Sequence, residues 1–476
     1  MMEIQPTVQV SPTTRAQIPG PRGHFLLGSI PDFRRDQLGF VLRMAQEYGP
    51  VARMRLGGVV LNMVNHPEGV QRILQENNHN YIKGDYFEPI RQVGGDGLFT
   101  SEGAHWLRQR RLMQPAFHRQ RIAGFGELMV RQTERMLERW EDAAFSGQAL
   151  DISHEFTDLT MRIIAEAMFS AQIEEDVRAV SEAISLLLAD MNFRFQVPFY
   201  PRIMSLPTPR NLQARRALKV IDEVIYRIIR QRRHEQAHEN DLLDMLMHAR
   251  DEETGEAMSE KHLRDEVVTI FVAGHETTAV LLTWLFHILG NEPEWEATLA
   301  DEVCMALGER RPDFADLANF PILRKAIDET LRLYPPAWIT NRTAVQDDVI
   351  CGYPIRAGEV VGISPYVVHR LAEYWPDPER FDPTRFSVEN ADGRPRFAYF
   401  PFGGGPHQCI GNNFALVEAQ LIFATLVGRY RLAPLPGRPV ELEATATLRP
   451  KGGLWMKVLP GKSGRVRIVN HTKQPN

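Results

Sequence analysis

One of the three cysteines, Cys409, sits in the stretch Phe402-Gly403-Gly404-Gly405-Pro406-His407-Gln408-Cys409-Ile410-Gly411, directly before a helix-like run from Asn412 to about Gly428. A cysteine at a helix N-terminus meets unpaired backbone N–H groups and the positive dipole end, both of which stabilise a thiolate. Glycines at 403, 404, 405 and 411 let the backbone pass close to something flat and bulky. A thiolate presented in this way is a metal ligand or a nucleophile, and the loop favours the ligand. The plain alternative is a buried structural thiol. A phosphate-cradling loop is excluded, because no Gly-Lys-Ser/Thr opens the helix.

A second set of reactive residues lies in the segment from Leu263 to about Leu289, a helix that is apolar nearly all round and therefore belongs in a core. Its middle reads Ala273-Gly274-His275-Glu276-Thr277-Thr278. A carboxylate and hydroxyls at that depth are costly unless they work or are fully hydrogen-bonded. His275-Glu276 invites a zinc-protease reading, but the second histidine that HExxH requires is replaced by Ala279. Trp106 and Arg110 are four apart and share a helix face, as do Glu329 and Arg332 at three. By themselves these are a stacked surface pair and an exposed ion pair worth about 0–1 kcal/mol.

Together, and in this order, the motifs resemble those of the cytochrome P450 superfamily. Phe402 to Gly411 looks like its haem-binding loop, and Ala273 to Thr278 like its oxygen-binding helix. Glu329-Thr330-Leu331-Arg332 looks like its Glu-x-x-Arg motif, completed by Arg385 in Pro383-Thr384-Arg385-Phe386, where threonine replaces the more usual acid. The resemblance covers about residues 18 to 460. It implies that Cys409 is the axial ligand of haem b and that Phe402 and Gly411 shape its loop. Trp106, Arg110, Arg342 and His407 would hold the propionates. It also implies that Thr277 steadies dioxygen and relays protons with Glu276, and that Glu329, Arg332 and Arg385 fix the loops around the haem. Phe87, Ala273, Ala337 and Ile339 are its candidate substrate contacts, and Ala273 with Gly274 leaves room for dioxygen and substrate.

The implied reaction is RH + O2 + 2e− + 2H+ giving ROH and water, on a small lipophilic substrate. The run Leu333 to Ile339 is similar to bacterial hydroxylases of carotenoid or fatty-acid type. The rival readings are a haem-thiolate peroxygenase or rearrangement enzyme, and a non-catalytic haem sensor. The intact acid–alcohol pair speaks against both.

The elements that must position these residues follow from pattern. Ile18 to Gly23 is a rigid turn where order begins, Val51 to Val64 a hairpin, and His66-Pro67 opens a helix to about Glu76. Tyr81 to Phe99 lacks clean periodicity and reads as a long binding loop over the haem. Residues 125 to about 236 are largely helical, broken near Pro198 to Pro209, with an aromatic run from Phe193 to Tyr200 expected to cap the substrate channel. Asn341-Arg342 and Thr445 to Leu448 are strand-like. Arg108, Arg111, Arg119 and Arg121 form a basic patch, either a solvated face or a dock for an acidic electron donor.

The expected fold is mainly α with small β-sheets (α+β), one large domain over 18–460, with haem between the central buried helix and the cysteine-loop helix. Residues 1–17 and 461–476 are expected to be flexible tails. A net charge of −5 gives no case for nucleic acid, and three widely spaced cysteines imply no disulfide framework and fit a cytoplasmic setting. Met1 to Gln17 contains no apolar stretch that would anchor the chain in a membrane. No flavin- or iron–sulfur-type segment follows the fold, so electrons are expected from a separate donor such as ferredoxin or flavodoxin with its reductase. A monomer is expected.

Overall fold

The computed structural model describes residues 17–84, 87–170, 206–235 and 241–461, with short pieces between 179 and 193. The two expected tails and most of the aromatic run from Phe193 to Tyr200 lie outside the described residues.

The longest helix, Glu260–Asn291, runs through the core. Ser259 starts it by accepting the His262 N–H at 3.1 Å, and Pro293 lies just beyond its end. On either side of Val272–Thr277 most of its residues are buried, as the apolar sequence there requires. Helices Ile152–Phe169, Pro321–Leu333 and Asn412–Val427 pack against it. The central helix and the segment Gly405–Val427 are apolar enough to cross a membrane, yet 67% and 72% of their apolar windows are buried inside this fold.

The β-structure is peripheral. Val51–Leu56 and Val59–Val64 form the expected hairpin, and Val360–Ile363 joins it in parallel. Thr340–Ala344, which carries Arg342, pairs antiparallel with Val360–Ile363, and Tyr81–Ile82 closes the edge. A short hairpin, Leu442–Ala444 with Leu448–Pro450, projects its turn toward the central helix.

The helix opened by Pro67 runs to Glu76 as expected, its last five residues as a wider π-helix, and one other expectation needs correction. The segment from Tyr81 to Phe99 is not one long loop: it contains a strand, Tyr81–Ile82, and a helix, Glu88–Gly94. Pro89 starts that helix and Gly95, at φ +61°, stops it. Seven residues are too few to display a period.

Candidate functional site: a thiol facing a slot in the core

The cysteine loop is shaped by contacts with the rest of the chain. Gly403 and Gly405 have φ of +70° and +64°, and Cys409 N–H donates to the Phe402 carbonyl at 2.9 Å. A Cβ on Gly405 would stand 1.8 Å from the Leu74 carbonyl oxygen, and one on Gly404 would stand 2.3 Å from the Phe397 ring. These two glycines therefore make room for protein, whereas at Gly403 and Gly411 a side chain would meet no protein atom within 4 Å. Gly405→Ala should destabilise the fold by at least about 2 kcal/mol, through backbone strain and overlap with a carbonyl that cannot yield. A lower urea midpoint at unchanged slope would register it; an unchanged midpoint would mean the loop stands clear of Leu74.

The approach to the loop is set from behind. Arg332 and Glu329 are fully buried and joined by two hydrogen bonds of 2.7 and 2.8 Å, not exposed as the bare spacing allowed. Arg332 also donates to the carbonyls of His369, Pro378 and Arg380, and Glu329 accepts the Asp382 N–H at 2.9 Å. Arg385 Nε lies 3.4 Å from Glu329. The buried His369 ring accepts the Phe400 N–H at 2.9 Å, two residues ahead of Phe402. A chain of bonds thus runs from the Pro321–Leu333 helix to the start of the cysteine loop. His369 went unnoticed in the sequence because its role depends on a partner 31 residues away.

Cys409 is enclosed by protein yet has exposed surface, so it opens on an internal slot. Burial pushes its thiol pKa up, opposed by the N–H groups of Gly411 and Asn412 and by the Arg110 guanidinium. The helix begins three residues later, as expected, and desolvation of the thiol outweighs the pull of these donors. Ala273 is likewise exposed in the middle of an otherwise buried helix. The two residues lie on the two helical segments that the sequence placed on either side of a haem.

Around Ala273 three successive helix carbonyls each accept a hydroxyl. Thr277 Oγ1 donates to Ala273 O at 2.8 Å, Thr278 Oγ1 to Gly274 O at 3.4 Å, and Thr160 Oγ1 to His275 O at 2.8 Å. Gly274 spares space for Ile164, whose Cγ1 would be 3.3 Å from a Cβ there, so room for small molecules falls to Ala273. Glu276 accepts from Thr447 Oγ1 at 2.7 Å, so the acid is held by the Leu442–Pro450 hairpin turn, a partner 171 residues away.

At one end of the site, cations converge. His407 stacks on Trp106 at 3.9 Å between ring centroids. Burial, and then the fields of Lys83, Arg342 and Arg110, push the His407 pKa down to about 3, so the ring is neutral at pH 7. Arg110 donates to the Gln408 carbonyl at 2.8 Å, and Arg342 to Thr340 Oγ1 and Asn341 O. Among the described residues, neither arginine has a carboxylate within 4 Å. Burial lowers the Lys83 pKa to about 8, which leaves the amine mostly charged at pH 7, and it donates to Leu98 O and Ser101 O. Glu102 is the nearby acid, 3.6 Å from His407. Two unpaired guanidinium groups beside a buried amine form a receptor for anionic groups, and a thiol faces the slot next to them. This donor set fits an iron porphyrin with two carboxylate arms. Lys83 and Glu102 were not singled out in the sequence; a lysine between apolar and glycine residues was the available signal.

The proposed substrate contacts are spread out. Phe87 is buried, 5.7 Å from the Phe99 ring and 5.8 Å from the Arg342 guanidinium. Ala337 and Ile339 flank the buried Trp338, whose Nε1 donates to Thr445 O at 2.8 Å. The basic patch is largely consumed: Arg108 pairs with Glu256, and Arg111 with Asp251 and Glu253. Arg119 lies over the Phe314 ring.

A family model described as cytochrome P450 matches residues 18–457. The chain is 35% identical to cyclooctatin synthase of Streptomyces melanosporofaciens over 420 residues, covering 88% of this chain and 89% of that one. It is 36% identical over 412 residues to cyclooctat-9-en-7-ol 5-monooxygenase of the same organism, covering 87% and 88%. Pentalenene oxygenase of Streptomyces avermitilis is 32% identical over 404 residues, with 84% and 88% covered. Among solved structures, the heme domain of cytochrome P450DA superposes with a TM-score of 0.87 at 26% identity, covering 95% of this chain and 99% of that one.

Proposed function

The chain belongs to the cytochrome P450 family, and from that premise we propose that it oxygenates a cyclic, isoprenoid-type lipophilic substrate using electrons from a separate protein. It is a haem b monooxygenase with O2 as co-substrate. Two of the relatives are named as oxygenases of pentalenene and of a cyclic alcohol, which supports the substrate class. The observation that carries the catalytic reading is that Cys409 and Ala273 are exposed where the helices Asn412–Val427 and Glu260–Asn291 pack together in a buried core.

Bound haem supplies the activation of O2, one atom of which enters the substrate while the other leaves as water. The residues of the chain do the rest. Cys409 is the proposed iron ligand; coordination would remove the proton that burial now keeps on its sulfur. Arg110, Arg342, Lys83 and Trp106, with neutral His407, would take the propionates. Thr277 presents its hydroxyl beside Ala273, and Glu276, held by Thr447, supplies a carboxylate one residue away. The pair would hold a proton at Thr277 Oγ1 and replace it by way of Glu276, which would take up a proton from solvent and pass it on. Phe87, Ala337 and Ile339 are proposed substrate contacts. Arg119 and Arg121 remain for docking an acidic donor such as ferredoxin or flavodoxin. Free cysteines at 304, 351 and 409 agree with a cytoplasmic enzyme.

The test is turnover of cyclic terpenes with a ferredoxin and its reductase under isotope-labelled O2. One labelled atom should enter the product. Thr277→Ala should keep consuming reductant while product per reductant falls about 100-fold, the lower range of what a positioned proton donor contributes. Label arriving from water, or tight coupling in that variant, would contradict the reading.

A further inference from the structure

Between Leu263 and Phe286 the central helix is buried except at Thr269, Val272, Ala273, Gly274, Glu276 and Thr277. Steps of three and four put Thr269, Val272, Ala273, Glu276 and Thr277 on one stripe of the helix. Ala273 belongs to the slot, so Thr269, on the same stripe, opens on that slot too. It lies one turn, about 6 Å, nearer the start of the helix.

The Thr269 hydroxyl differs from the others here. Thr277, Thr278 and Thr283 each donate to the carbonyl four residues back, whereas among the described residues Thr269 Oγ1 has no partner. The loop that passes over it is bare at that point. A Cβ on Gly97 would stand 2.2 Å from Thr269 Oγ1, and one on Gly94 would stand 3.6 Å away. Asp265 and Glu266 hold the loop there by accepting the Asp96 N–H at 3.0 Å and the Leu98 N–H at 2.9 Å. The result is a half-buried hydroxyl on a rigid helix, able to donate and accept, that the protein itself does not use. Leaving such a group unpaired costs stability, and a ligand oxygen removes that cost.

Resting on the oxygenation of a cyclic isoprenoid proposed above, we propose that Thr269 is a specificity-determining residue that hydrogen-bonds a neutral oxygen already carried by the substrate, a hydroxyl or a ketone. A carboxylate suits the place poorly, because a lone hydroxyl brings no charge to match it and Asp265 and Glu266 lie on the preceding turn. Val272 and Ala273 offer only hydrocarbon to the remainder of the molecule. The substrate is thus an isoprenoid alcohol or ketone and not a bare hydrocarbon. Its existing oxygen lies about one helical turn from the carbon that is oxygenated beside Ala273.

The test is titration of the holoenzyme, reading the shift of the haem absorption band, with two matched pairs of probes: cedrol and cedrane, menthol and p-menthane. The ratio of alcohol to hydrocarbon affinity should fall about tenfold from wild type to Thr269→Val, the upper range for one neutral hydrogen bond. Thr269→Ala should lower the ratio equally, and Thr269→Ser should restore it. Valine keeps the shape of threonine and removes only the hydroxyl, so a purely structural role would not move the ratio. An unchanged ratio in Thr269→Val and Thr269→Ala, or a ratio that Thr269→Ser fails to restore, would overturn the proposal. Wild type that binds neither member of either pair would instead overturn the isoprenoid reading beneath it.

Discussion

Cys409→Ser should leave a folded chain that has lost thiolate ligation and, with it, monooxygenation. Serine fits the site, because the loop is held by backbone bonds such as Cys409 N–H to Phe402 O and by Gly404 and Gly405 packing on Phe397 and Leu74. None of these uses the sulfur. The cation receptor formed by Lys83, Arg110 and Arg342 also survives, so haem is expected to bind more weakly and not to be excluded. The rate should fall by far more than the roughly 10–100-fold that loss of an outer hydrogen-bond partner costs a metal site. The checks are haem content per chain, the absorption spectrum and product formation. A serine variant with the spectrum and turnover of wild type would remove Cys409 from the account.

Glu329→Gln should be the most damaging change to stability. It leaves the Arg332 guanidinium fully buried with its counter-charge gone, and breaking a buried pair in this way costs about 3–5 kcal/mol. The loss reaches the site, since Arg332 holds the carbonyls of His369, Pro378 and Arg380, and His369 holds Phe400. The variant is expected to lose haem and to unfold at markedly lower urea. A midpoint within about 1 kcal/mol of wild type would show that the pair is dispensable, as many exposed pairs are. Arg385→Gln should cost less, because its contact to Glu329 is longer, at 3.4 Å, and Arg332 still neutralises the acid.

Local motifs were legible in the sequence because they are self-contained. The cysteine loop, the central helix and the Glu329–Arg332 spacing each announce themselves within about a dozen residues, and each forms where expected. Partners supplied from a distance were not legible. Thr447 on Glu276, Lys83 beside His407, and His369 under Phe400 come from segments that carry no chemical pattern of their own. The basic patch misled for the same reason: arginine density on one helix cannot reveal that residues 251–256 bring carboxylates to it. The desolvation of the thiol was not legible, because a helix terminus can be read from sequence and burial cannot.

The central claim is that Cys409 presents a thiolate to haem iron across from Ala273. The carbon monoxide difference spectrum of the dithionite-reduced wild-type protein tests it most directly. A strongly red-shifted main band is predicted, lost in Cys409→Ser. A band at the position typical of histidine ligation, or one that persists in the serine variant, would contradict it.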